Sequence, residues 1–192
     1  MALLPVDEAL ERLIADARPL PAEPVPLAQA AGRVLAEPIA ALRTQPPFDA
    51  SAMDGYAVRA DDIATLPARL KLLGTAAAGH GYAGRVGRGE AVRIFTGAPL
   101  PEGADTIVIQ ENTRAVADDA VDVVEGVARG RHIRACGLDF REGEALLPAG
   151  RVLDPAALSL AASANHPALP VVRKPLVAIV AGSREQPVTL EQ

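Results

Sequence analysis

Apolar side chains at Val6, Leu10, Leu13, Ile14 and Ala17 fall at i, i+4, i+7, i+8 and i+11, the single stripe of an amphipathic helix. Asp7 and Glu8 stand in its first turn, where carboxylates complement the helix dipole, and Pro19 and Pro21 end it. A second short helix is predicted over residues 27–31, stopped by Gly32. Val34 and Leu35 then begin an extended stretch, and Pro38 marks it as an edge. Residues 45–55 read QPPFDASAMDG, which follows neither the helical nor the strand period. Its two prolines impose an extended entry, and Asp54-Gly55 predicts a turn.

Short β segments follow at 56–59, 69–73, 91–95, 106–110, 115–117 and 121–124, with Asp118-Asp119-Ala120 as a hairpin loop between the last two. Six such strands punctuated by Gly and Pro predict a small barrel or curled sheet. After Gly150 the period changes again. Asp154 followed by Pro155 predicts an N-cap and N1 pair opening a helix through Ala164, with Asn165 in the left-handed position at its end. Two strands are expected next, at 171–172 and 176–180. The second, Leu-Val-Ala-Ile-Val, is the continuous apolar run of a strand covered on both faces, and the small residues Ala181-Gly182-Ser183 follow it as at the start of a βα unit. Helices flanking a β section predict an α+β, β-rich fold. A split mixed α/β domain would occupy 1–47 and 142–175, an inserted small β domain 48–141, and the start of a further α/β domain 176–192.

Composition narrows the reading. Aromatics are only 3% of the chain and Trp is absent, so the core must be built from Ala, Val, Leu and Ile. The net charge is −5 and the 19 basic residues form no stripe, which argues against nucleic acid as a partner. No apolar run approaches the roughly 20 residues of a membrane span, and the N-terminus lacks the basic-then-apolar order of a signal peptide. A cytoplasmic protein is expected. Cys136 is the single cysteine, so no internal disulfide is possible and a zinc site is disfavoured.

Gly79-His80-Gly81-Tyr82-Ala83-Gly84 fits G-x-G-x-x-G letter for letter. A dinucleotide site needs a helix directly after the glycines, and RVGRGEA has no helical stripe. A hairpin loop is expected there instead. Two other segments are longer and more specific: Pro46-Pro47-Phe48-Asp49-Ala50-Ser51-Ala52-Met53-Asp54-Gly55-Tyr56-Ala57, and Val92-Arg93-Ile94-Phe95-Thr96-Gly97-Ala98-Pro99-Leu100-Pro101. Chemistry alone leaves open a proline-rich connector for the first and a strand ending in a Gly-Pro loop for the second.

In order along the chain, PPFD-x-SAMDGYA, VRI-x-TGAP-x-P and GADT-x-V (residues 103–108) resemble the signature of the molybdopterin molybdenumtransferase, or MoeA, family, to which the E domain of gephyrin is similar. Asp139-Phe140-Arg141-Glu142-Gly143-Glu144 resembles the family's GEDFR-x-GE, with Leu138 where the family has Glu. The family's STGDEL is answered only by Ala181-Gly182-Ser183-Arg184-Glu185-Gln186. The resemblance implies domains I and II, with residues 176–192 as the first strand and truncated start of the pterin-binding domain III.

The resemblance further implies insertion of molybdate into adenylylated molybdopterin with release of AMP, assisted by Mg²⁺. It assigns Asp54, Thr96 and Asp139 as catalytic residues, and Asp49, Ser51 and Arg93 as substrate-binding residues. Asp54, Asp139 and, more weakly, Glu185 become the metal ligands. Hard Mg²⁺ takes oxygen donors such as these carboxylates. The family works as a dimer with a shared cleft, so the chain is expected to pair with itself or with a full-length relative. The alternative expectation is a non-catalytic domain I–II module that binds a full-length relative or another molybdenum-cofactor protein.

Overall fold

The computed structural model describes residues 4–117 and 119–179. In chain order the elements are α1 (Val6–Ile14), β1 (Ala22–Pro26), β2 (Ile39–Ala40), β3 (Ala50–Ser51), β4 (Gly55–Val58), β5 (Ala68–Ala76), β6 (Glu90–Ile94), β7 (Thr106–Ile109), β8 (Thr113–Ala117), β9 (Ala120–Val123), β10 (Ile133–Arg134), β11 (Ala145–Leu147), α2 (Pro155–Ser163) and β12 (Ala168–Val172). The fold is α+β and β-rich. Residue contacts divide it into two units. One comprises Met1–Ile39, Ala145–Ala162 and His166–Gln192, and the other Ala40–Glu144 with Ser163–Asn165.

In the first unit β1 pairs antiparallel with β12, Val25 opposite Leu169. β1 contains Pro24 and Pro26, which cannot donate to a ladder, and its single β neighbour is β12. The extended residues Val34 and Leu35 bridge to Val152 and Val171. Val25, Leu35, Leu153, Ala157, Ala161, Leu169 and Val171 are buried together as the core. Asp154 caps α2 as its sequence predicts, its Oδ1 accepting the Ala157 amide at 2.8 Å. Asn165 adopts φ +73° just beyond the helix.

Residues 27–29 form one turn of 3-10 helix rather than a longer α-helix. α1 forms, but Val6 and Leu13 are 82% and 81% exposed and no α1 side chain is buried. The strand expected at 176–180 is absent over 176–179, where no described strand pairs with it and Leu176 is 93% exposed. Val180 and the turn expected after it lie outside the described residues.

The second unit is built on a six-stranded sheet in the order β7-β4-β6-β5-β9-β8. β5 and β6 run parallel, with a register shift between Leu72 and Thr75, and the remaining neighbours run antiparallel. Alternate residues point to opposite faces, and both faces are covered. Val58, Leu70, Ala91, Val108, Val121 and Val123 form one core, and Ala57, Ala76, Val92, Ile94 and Ile107 belong to the other. Aliphatic side chains fill both, as the scarcity of aromatics requires. The six strand positions read from the sequence are those observed, to within a few residues at each end. Residues 79–84 form no nucleotide-binding turn: a bridge joins Ala77 to His80, and no helix follows.

Leu35 is fully buried. Leu35→Ala should therefore destabilise the chain by about 2–5 kcal/mol, whereas Asp154→Ala should cost only about 1 kcal/mol through the lost cap. Urea denaturation of both variants measures the two losses, and equal costs would contradict this reading of the core.

Candidate functional site

Residues 45–51 run as a strap between two loops of the second unit, bent over Pro46–Phe48 rather than extended as its prolines had suggested. On one side the Gln45 amide donates to Phe140 O (2.9 Å), Asp139 N donates to Gln45 O (3.0 Å), and Gly137 N donates to Pro46 O (2.9 Å). On the other side Leu100 N donates to Asp49 O (2.8 Å), Ser51 N to Ala98 O (2.9 Å), and Gly97 N to Ser51 O (2.9 Å). Pro46 and Pro47 have no amide hydrogen to leave unpaired. The peptide bond between Gln45 and Pro46 is cis. Gly97 and Gly137, with φ of +82° and +73°, occupy the left-handed region where a side chain would be strained.

The strap leads into β4 through Asp54. Asp54 Oδ1 accepts two bonds from Thr96, one from the backbone N–H at 2.8 Å and one from Oγ1 at 2.7 Å. These donors, the backbone one first, hold the Asp54 carboxyl below the ordinary aspartate range. Partial desolvation opposes them, and the nearby Arg93 adds a smaller pull in the same direction. Asp54 is therefore a carboxylate at neutral pH. Gly55 opens β4 rather than completing a turn, and glycine is required there because a Cβ would overlap the Val108 carbonyl of the neighbouring strand.

A cavity of about 280 Å³ lies against the strap, lined by Gln45, Pro46, Pro47, Phe48 and Ala50, by Ser51 and Ala52, by Thr96 and Gly97, and by Arg134 and Asp139. The structure thus brings Thr96, Ser51 and Asp139 to one cavity, and Asp54, which does not line it, is bonded to Thr96. Asp139 accepts two bonds from Arg134 Nη2, at 3.1 and 3.3 Å. Asp49 and Ser51 are engaged internally. Asp49 Oδ1 accepts the Cys136 amide at 2.7 Å, and Ser51 Oγ donates to Met53 O at 2.5 Å. Arg93 donates to Gln110 Oε1 at 2.6 Å and to Gly55 O at 3.3 Å. Glu185 lies outside the described residues.

A family model described as the MoeA N-terminal region, domains I and II, matches residues 4–165. The chain belongs to the MoeA family. The molybdopterin molybdenumtransferase of Bacillus subtilis (strain 168) is 37% identical over 189 residues, covering 95% of this chain and 44% of that protein. The protein of the same name from Nostoc sp. (strain PCC 7120 / SAG 25.82 / UTEX 2576) is 38% identical over 174 residues, covering 88% of this chain and 39% of its own length. A crystal structure of the molybdopterin biosynthesis moeA protein from Pyrococcus horikoshii OT3 matches with a TM-score of 0.85 at 35% identity, over 91% of this chain and 47% of that one. The chain spans less than half the length of these MoeA relatives.

The donor set for the Mg²⁺ implied by MoeA resemblance is right in kind but sparse. Among the described residues no three His, Cys, Asp or Glu side chains gather to hold a metal ion. Thr96 engages only Oδ1 of Asp54, which leaves Oδ2 as a ligand atom, while Asp139 is shared with Arg134. Two carboxylates of this kind would leave most of a bound cation's ligands to come from water and phosphate.

Arg134 is the site residue that the sequence reading passed over. It lies five positions before Asp139 on a two-residue strand, where an arginine is ordinarily a solvated surface charge. The pairing of β10 with β3, Arg134 opposite Ala50, brings it beside the strap, and its side chain lines the cavity.

Thr96→Val removes the Oγ1 donor and keeps the backbone donor. The Asp54 midpoint should therefore rise toward the ordinary aspartate range without reaching it, as read by ¹³C carboxyl NMR against pH. The sign follows from linkage: a depressed carboxyl contributes stability above its unfolded pKa, and that stability is lost as pH falls through the folded value. An unmoved midpoint in Thr96→Val would show that the Oγ1 bond does not hold the carboxylate.

Proposed function

We propose that this chain supplies the acidic half of a molybdenum-insertion site, where molybdate displaces the nucleotide of adenylylated molybdopterin and AMP leaves. The observation that supports this reading most is the Asp54 carboxylate gripped by both Thr96 donors beside the cavity that contains Asp139. These three residues occupy the positions of the family motifs, and the relatives over 95% and 88% of the chain bear the name molybdopterin molybdenumtransferase. The first unit then corresponds to the split domain I and the second to the inserted domain II.

In this reading Asp54 Oδ2 is the oxygen offered to a divalent cation, and Asp139 a second ligand or an acceptor for substrate. A bound Mg²⁺ would offset the charge that develops on phosphoryl oxygens. Arg134, already fixed by Asp139, presents a guanidinium at the cavity, a group whose planar donors suit oxyanions. Asp49 and Ser51 shape the strap loops around the cavity. The groups that grip the pterin are expected in domain III of a second subunit. The uncovered apolar stripe of α1, with Val6, Leu10 and Leu13 exposed, supports association with another chain.

The test is AMP release from adenylylated molybdopterin in the presence of Mg²⁺ and molybdate. Residues 1–192 alone should show no turnover, because half a site loses the positioning that makes a bound reaction effectively intramolecular, a contribution of about 7–11 kcal/mol at its largest. Mixing with a full-length relative whose Asp54 counterpart is replaced by Asn should restore activity through mixed dimers, and the Asp54→Asn form of this chain should not. Equal rescue by both forms would remove Asp54 from the reaction. No rescue by either would favour the non-catalytic binding module.

A further inference from the structure

Three partners of the Arg93 guanidinium adjoin the Asp54–Thr96 pair. Nη1 donates to the carbonyl of Gly55, the residue after Asp54, at 3.3 Å. The Phe95 ring, whose centroid is 5.0 Å from Cζ, belongs to the residue before Thr96. Nη2 donates to Gln110 Oε1 at 2.6 Å, and the Gln110 amide in turn donates to Asp54 O at 3.2 Å. Tyr56, the cross-strand partner of Arg93 on β4, places its ring centroid 5.0 Å from the same carbon. The start of β4, the end of β6 and the turn after β7 therefore meet on one cation.

We propose that Arg93 is a positioning residue: it holds these three backbone segments together so that both Thr96 donors stay aimed at Asp54 Oδ1. One N–H on each of Nη1 and Nη2 is committed, to Gly55 O and Gln110 Oε1, and its flat face is engaged by aromatic rings. Lysine would keep the charge but not the function. A single ammonium lacks the planar fork that bonds Gly55 O and Gln110 Oε1 while stacking on the rings. Any consequence for catalysis rests on the molybdenum-insertion reading, whereas the positioning itself does not.

Amide hydrogen exchange on the ¹⁵N-labelled chain tests this without turnover. In Arg93→Gln and in Arg93→Lys, exchange at the Thr96 and Gln110 amides should quicken by about tenfold or more, the scale of a lost hydrogen bond to a charged group. Amides of the β5–β9 ladder should exchange as in the unaltered chain. Gln110→Ala, which removes a single contact, should give a smaller increase at Thr96. Unchanged exchange at Thr96 in a folded Arg93 variant would overturn the proposal. So would a loosening spread equally over the whole sheet, which would make Arg93 a general structural support. Should Arg93→Gln fail to fold, Arg93→Lys and Gln110→Ala decide. If these effects appear and the mixed-dimer assay fails, the functional reading falls and the positioning role stands.

Discussion

The backbone of residues 45–51 is hydrogen-bonded at both ends, to a different loop at each, and the geometry of the candidate site follows from that. Amides from residues 97–100 close one side, and those from residues 137–140 close the other. Buried or half-buried peptide groups demand partners, and the strap meets the demand with two prolines that have nothing to donate. Thr96 and Asp139, 43 positions apart in the numbering, reach one cavity because each sits next to a loop that the strap pins. The meeting of Thr96 and Asp139 is thus a product of main-chain bonding more than of attraction between side chains.

Packing makes the strap's anchors dependable. The six-stranded sheet is covered on both faces by aliphatic residues, so β4 and β6 cannot shift without opening two cores. Gly55 is the tightest point: β4 approaches β7 so closely there that no side chain fits. That places Asp54 at the mouth of a rigid strand rather than on a free turn. Thr96, two residues beyond the end of β6, meets it with two donors. Sites built on such elements lose little order when a ligand binds, which is the practical value of placing short polar side chains at strand ends.

Much of this was legible from residue types. Short β segments punctuated by Gly and Pro located all six strands of the sheet, and Asp154-Pro155 located the capped helix, because those signals are local. The long motifs pointed to Asp54, Thr96 and Asp139, and the fold brings Thr96 and Asp139 together with Asp54 bonded to Thr96. The strand read at 176–180 depended on a partner strand that no local pattern reveals, and residues 176–179 are exposed without one. The α1 stripe reads equally well as a buried face or an uncovered one, since periodicity does not say what covers it. Arg134 and the role of Arg93 were out of reach for a related reason. Both depend on cross-strand neighbours distant in sequence, Ala50 for one and Tyr56 for the other.

Manganese(II), a paramagnetic stand-in for a hard divalent cation, offers the most direct test of whether the strap assembles one oxygen-donor site. Titrated into the ¹⁵N-labelled chain, it should broaden the amides of residues 54–55, 96–97 and 138–140 together, over one concentration range, and Asp54→Asn should abolish the effect in all three segments. Broadening confined to the other carboxylates, such as Asp61 and Asp62, or independent behaviour of the three segments, would contradict a single site built by the strap.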